Sequence, residues 1–118
     1  MKLCREGFFR ELPYGEGSGA SIQSAIGTLA DEDVNAIIKY LDAGHAIMVA
    51  PGLSKNVLSE RNEIIGGLTI KTDGKFAWPQ DLSFYVKNYR VGLSHDFLDH
   101  MKMKNWSIGD VNIEYLEI

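Results

Sequence analysis

The chain predicts an α+β fold, a mainly antiparallel sheet with about three helices packed on it, in a single compact domain spanning residues 1–118. Three observations carry this. Apolar residues recur at helical spacing over 34–41, Asp73-Gly74 sits between two β-type runs, and Pro79 and Ser94 each precede a segment with one apolar face. A chain of 118 residues, 45% of them hydrophobic, buries a core without needing disulfides or metals.

The first helix is expected over 31–43, in "ADEDVNAIIKYLDAG". Val34, Ile37, Ile38 and Leu41 form its apolar face. Thr28, three residues before Asp31, is a candidate cap, the acidic triplet suits the positive end of the helix dipole, and Gly44 suits a left-handed closing residue. "HAIMVAP" then reads as a short buried strand ended by Pro51. Upstream, "ASIQSAI" alternates as a strand near residue 20.

Residues 68–78 read as a hairpin around Asp73-Gly74, a pair that tolerates the positive φ of a tight turn. Pro79 is placed as the first residue of a helix over 80–90, whose face is Leu82, Tyr85, Val86 and Tyr89. Trp78 falls at the strand-to-helix junction and is expected in the core, in one cluster with Leu82, Tyr85, Val86, Phe97 and Met101; a ligand platform is the competing role. Ser94 caps a third helix over 95–104, with Asp96 in its first turn and Lys102 and Lys104 near its end. The tail "DVNIEYLEI" alternates as an edge strand near residue 112.

Charge and motifs restrict function. Twelve Lys and Arg against sixteen Asp and Glu leave a net charge of −4, which repels nucleic acid and favours a protein partner with a basic surface. The candidate partner-binding residues are Asp31, Glu32 and Asp33, with Asp96 and Asp99. No apolar run approaches the roughly 20 residues that cross a bilayer. The single Cys4, and the charged Arg5, Glu6 and Arg10 where a signal peptide would be apolar, point to a cytoplasmic protein, monomeric or homodimeric. His95, Asp96, Asp99 and His100 carry two His/Asp pairs at helical spacing that point in different directions, so neither a metal nor another cofactor is expected. No catalytic residues are assigned. The alternative is a small enzyme or ligand-binding domain using the Gly15–Gly19 loop, with Ser18, Ser21, His45 or Asp81 as polar groups; that loop lacks the strand before it, the helix after it and the Gly-Lys-Ser/Thr of a phosphate cradle.

Thr72-Asp73-Gly74, Trp78-Pro79, Asp81-Leu82, Tyr85-Val86, Tyr89, Val91, Leu93, Phe97, His100-Met101 and Trp106 together resemble the C-terminal part of a family of small, uncharacterised bacterial proteins. Its pattern runs Thr-Asp-Gly-x-Trp-x-Trp-Pro-x-Asp-Leu, then an aromatic helix, Leu-Pro, and a His-Met helix ending near a Trp. The likeness covers about a third of the chain, and "YLDAGHAIMVAPG" with the loop to Asn62 matches more loosely. Phe76 replaces the first Trp of the pattern and Ser94 its Pro. The resemblance implies an immunity-type or accessory protein of a toxin system, without catalytic residues.

Overall fold

The turn at Asp73-Gly74 seeds the sheet. In the computed structural model, which describes residues 2–15 and 17–117 apart from the side chain of Asp31, β3 (Ile64–Thr72) and β4 (Phe76–Pro79) pair antiparallel across it. Gly74 adopts φ +99°, a backbone conformation that glycine tolerates without a Cβ clash. The Asp73 Oδ1 accepts hydrogen bonds from the backbone N–H of Lys75 and Phe76 at 2.9 and 2.7 Å. Thr72 Oγ1 donates to the Phe76 carbonyl and accepts from the Gly74 N–H. Thr72-Asp73-Gly74 is thus a turn that satisfies its own backbone with its side chains.

β2 (His45–Lys55) pairs antiparallel with the other side of β3, and β1 (Cys4–Arg5) pairs parallel with β4, giving the order β1-β4-β3-β2. Three helices follow the sequence expectation closely: α1 (Val34–Asp42), α2 (Leu82–Tyr89) and α3 (His95–Met103). The fold is α+β with a mostly antiparallel sheet. Among the described residues no helix is long and apolar enough to cross a membrane.

Alternation along β4 divides the interior. Phe76 and Trp78 face the helices in the main core with Ile37, Tyr40, Leu41, Leu82, Tyr85, Val86, Phe97 and Met101. Ala77 faces the other side with Leu3 and Ile70, covered by Phe8, Tyr14, Ile47 and Leu116. Trp78 is fully buried, as are its five expected neighbours. Its indole Nε1 donates to the Leu41 carbonyl at 3.2 Å, satisfying its polar atom at the end of α1, and its ring lies 5.3 Å from that of Phe97. This is core packing, not a ligand platform.

Several local expectations are corrected. Residues 22–25 form a 3-10 turn, not a strand: Ser21 Oγ accepts from the Gln23 N–H, while Glu11 receives both the Ser21 hydroxyl and the Ile22 N–H. Serine and glutamate side chains capture the backbone groups a ladder would need; Ile22 is buried in the core and Ala25 packs against it. The tail is likewise a 3-10 turn at Ile113–Tyr115, capped by Asn112, and among the described residues its strand-like pairing is a single bridge between Lys2 and Glu117. β1, with two residues, is too short for any periodicity to mark it.

β2 is neither short nor buried; it runs eleven residues along the sheet edge and passes Pro51 at a register shift between Ala50 and Leu53, where an edge strand tolerates the missing N–H. Pro79 ends β4 opposite Ile70 instead of opening α2, whose N-cap is Asp81. Thr28 donates to the Ala25 carbonyl and caps nothing; α1 starts after Asp33 with no side-chain cap bond. Gly44 is not left-handed. Its constraint is space: a Cβ there would lie 2.6 Å from Cζ2 of Trp78.

Trp78→Ala is therefore expected to cost about 3–5 kcal/mol in urea unfolding, as a large-to-small core change. Gly44→Ala should cost about 1–3 kcal/mol by overpacking. The two must couple: in the Trp78→Ala background the alanine loses its clash with the indole and keeps only the 3.0 Å approach to Lys71 Cβ, and additive costs in a double-mutant cycle would refute the indole contact as the cause.

Candidate functional site

Ser94 fixes the start of α3 and thereby a cleft. Its Oγ accepts from the Phe97 N–H at 3.2 Å, as an N-cap should. Glu6, which follows β1, in turn holds Ser94: Oε1 accepts its hydroxyl at 2.7 Å and Oε2 its N–H at 3.0 Å. A carboxylate at a helix N-terminus also meets the positive end of the dipole. β1, the start of β4 and α3 then enclose about 470 Å³, lined by Cys4, Glu6, Lys75, Asp96, Asp99 and His100 among others. Asp96 and Asp99 are exposed on the rim, three residues apart and so on neighbouring positions of one helix side.

Beneath the cleft lies a buried polar trio. Tyr40 on α1 donates its hydroxyl to Asp73 Oδ2 at 2.5 Å, and His100 on α3 brings Nε2 to 3.3 Å from the same oxygen. That approach is within ion-pair distance but off the line of a hydrogen bond, and neither ring nitrogen of His100, whose side chain is only 10% exposed, makes one. Its ring instead packs 5.3 Å from that of Phe76. Burial, and then the Asp73 carboxylate that takes its hydrogen bond, hold the Tyr40 phenol well above the usual tyrosine range. With one oxygen serving two backbone N–H groups and the other serving Tyr40, Asp73 ties turn, α1 and α3 together.

A second polar network joins the β2–β3 hairpin to α2. Ser54, fully buried, donates its hydroxyl to Asp81 Oδ2, while Asp81 Oδ1 is buried with no partner. Burial raises the Asp81 carboxyl above the ordinary value of 3.8, against the opposing hydrogen bond from Ser54. Tyr85 accepts the Val57 N–H and donates to the Lys55 carbonyl, and burial pushes its phenol up to about 12. Asn56, also buried, donates to Glu63 and to the Tyr89 hydroxyl and accepts from the Leu58 N–H. The bonds to Asp81, Tyr85 and Tyr89 hold the hairpin and its loop on the helix, and those among Asn56, Leu58 and Glu63 brace the loop itself.

The residues singled out from sequence fall as follows. Asp96 and Asp99 share the cleft rim; Glu32 is exposed and Asp33 half-buried at the start of α1, on a different helix. The Asp31 side chain lies outside the described residues, as does Glu16 within the Gly15–Gly19 loop. The alternative polar set does not converge. Ser21 is engaged with Glu11, His45 Nε2 is 3.3 Å from the Gly109 carbonyl, Asp81 is buried beside Ser54, and Ser18 is exposed. Among the described residues no group of three His, Cys, Asp or Glu is placed to hold a metal ion. Sequence reading missed Glu6, Tyr40 and the role of His100; the contacts of Glu6 with Ser94 and of Tyr40 with Asp73 span 88 and 33 residues, distances at which spacing carries no signal. In comparisons with protein-family models, curated proteins and solved structures, nothing matches this chain.

Tyr40→Phe is expected to lose about 1.5–3 kcal/mol, the range for a hydrogen bond to a charged acceptor; a urea midpoint indistinguishable from the parent's would show that the bond is not stabilising. Asp81 generates a pH prediction. Its folded value lies above its unfolded one, so the folded state binds the extra proton and stability falls as pH rises from the ordinary carboxylate value through the folded value. Asp81→Asn removes that fall. The stability of the variant minus that of the parent should grow as pH rises above the ordinary carboxylate value and level off once the folded carboxyl is ionised, and a difference constant with pH would contradict the assignment.

Proposed function

We propose that the protein is a non-catalytic binding protein of the immunity type, which inhibits a toxin by covering a basic surface on it. The observation that carries this reading is the exposed pair Asp96 and Asp99 on the rim of the α3 cleft, with Glu6 fixed beside them at the start of the helix. Inhibition of this kind needs complementary charge and a few anchors, not a positioned acid, base and nucleophile. The net charge of −4 supports it, and so does the resemblance of Thr72-Asp73-Gly74 through Trp106 to small, uncharacterised bacterial proteins that look like immunity-type or accessory proteins of toxin systems. Glu32 and Asp33 extend the acidic surface at α1, with Asp31 assigned to it from sequence. The exposed thiol of Cys4 suits a reducing cytoplasm, where such an inhibitor, as monomer or homodimer, would meet its toxin before export.

The test begins with affinity capture from the native host and identification of the partner by mass spectrometry. Reversing Asp96 and Asp99 to lysine should then lower the association rate about tenfold or more at low salt while leaving the dissociation rate nearly unchanged, and raising the ionic strength should slow the parent towards the variant. Both residues are exposed, and Asp96 meets the positive end of the α3 dipole, so unfolding should shift by no more than about 1–2 kcal/mol. An unchanged association rate would remove them from the interface. Turnover of a small-molecule substrate by the purified protein would overturn the whole reading.

A further inference from the structure

The connection between β2 and β3 is held differently from the rest of the fold. Across residues 53–64 the buried residues are Ser54 and Asn56, both polar; Val57 and Leu58 are half-buried, and Leu53 and Ile64 stand exposed. Apolar burial, which secures the main core, contributes little here. Side-chain hydrogen bonds take its place, and they come from one stripe along α2 and its N-cap: Asp81, Tyr85 and Tyr89, each four residues from the next and so on one side of the helix. Asp81 accepts the Ser54 hydroxyl, the Tyr85 hydroxyl accepts the Val57 N–H and donates to the Lys55 carbonyl, and the Tyr89 hydroxyl accepts the Asn56 amide. A segment with few buried apolar contacts opens more readily than the core.

The stripe is weakest at Asp81. Its side chain is buried, yet one carboxyl oxygen has a single donor, Ser54, and the other has none. Buried and protonated, such a group is neutral; buried and ionised, it carries a charge that one hydroxyl does not compensate. The charged and titratable groups on the elements packed against it are Lys55 from β2 and Glu63 from the loop, both exposed, and Tyr85 and Tyr89 from α2. Among the described residues no cation bonds to the carboxylate. Tyr85, its phenol pushed up by burial to about 12, keeps its proton through neutral pH. Glu63 acts in the opposite sense: the Asn56 amide holds its carboxyl below the ordinary 4.5, so that brace is lost only as pH falls. Above pH 4.5 the contact that changes is therefore the one at Asp81, whose burial raises its carboxyl above 3.8. The closed form holds the proton more tightly than the open form, so closure is favoured at acid pH and weakens as pH rises through the folded value.

We propose that residues 53–64 form a strap that lifts from α2 as a unit when Asp81 ionises, while the core around Asp73 stays closed. Opening frees the Tyr85 and Tyr89 hydroxyls and takes away one wall of a hollow of about 730 Å³, which Val57, Leu58 and Ser59 of the strap line together with Gln23 and Ile26. The strap is independent of the acidic α3 cleft and of what that cleft binds.

Native-state amide exchange on the intact chain, followed by NMR and corrected for intrinsic rates, tests this. The reporters are the N–H groups of Asn56, Val57 and Leu58 in the strap and of Asp73 and Leu98 in the core, all hydrogen-bonded. Strap protection should be at least about tenfold below core protection and insensitive to low urea, because little surface is exposed when the strap alone opens. From pH 4.5 towards about pH 7 it should fall about threefold or more and then level off. Asp81→Asn should make it independent of pH, and Ser54→Ala, which removes the donor and keeps the carboxyl, should steepen the fall. Strap amides that share the protection and urea dependence of the core exchange through global unfolding and overturn the proposal. A fall with pH that survives Asp81→Asn, or that Ser54→Ala leaves unchanged, overturns it as well.

Discussion

A carboxylate with no exposed surface, Asp73, is the constraint on which the main core depends. Burying a charge is costly unless donors replace the water it loses. The chain supplies those donors from two places, the turn's own N–H groups at Lys75 and Phe76 and the Tyr40 hydroxyl on α1, and the His100 ring of α3 lies within ion-pair distance of the same carboxylate. Each donor fixes an element. The turn sets the register of β4 against β3, which puts Phe76 and Trp78 on the helix side, and Tyr40 brings α1 close enough for its Leu41 carbonyl to receive the Trp78 indole. Phe97, one turn before Met101 on α3, then stacks on Phe76 with ring centroids 4.6 Å apart. The polar contact and the aromatic stack therefore specify the same packing, which is what consistency across levels means for a fold.

Seen from Asp73, the motifs that looked suggestive in sequence have structural work. Thr72, Asp73 and Gly74 are committed to closing a turn, Trp78 to filling the core, and His100 to the flank of a buried carboxylate. A dense run of Trp, Tyr, Asp and His can mark an active site, but here the same residue types build a small domain whose core is rich in aromatic rings and must satisfy their polar atoms.

Local signals were legible where the side chain acts on its own neighbours. The apolar periodicity of Val34, Ile37 and Leu41, the Asp73-Gly74 turn and the Ser94 cap each act within four residues, and each is found as expected. The segments over 20–26 and 111–117 failed because alternation over so few residues does not outweigh Ser21 and Asn112, whose side chains capture nearby N–H groups and turn the chain. Gly44 was rightly singled out but for the wrong cause, since the Trp78 ring that excludes a Cβ lies on another strand. The same limit hid the cleft. Its acidic rim could be read from α3, whereas Glu6, which sets where that helix begins, is brought in from the far end of the chain.

The two buried carboxylates also differ in how completely they are satisfied. Asp73 has a donor on each oxygen, and it braces α3, whose rim carries Asp96 and Asp99. Asp81 has a donor on only one, and its burial raises the carboxyl against that donor. It is Asp81 and Ser54 that pin the distal half of the β2–β3 hairpin to the start of α2. Above the folded value the unpartnered oxygen bears charge in a buried site, so ionisation opposes the docking of the hairpin on the helix while leaving the Asp73 junction untouched. Local opening follows the weakest-held element. The Ser54–Asp81 contact accordingly weakens as pH rises, and the hold of the β2–β3 hairpin on α2 weakens with it.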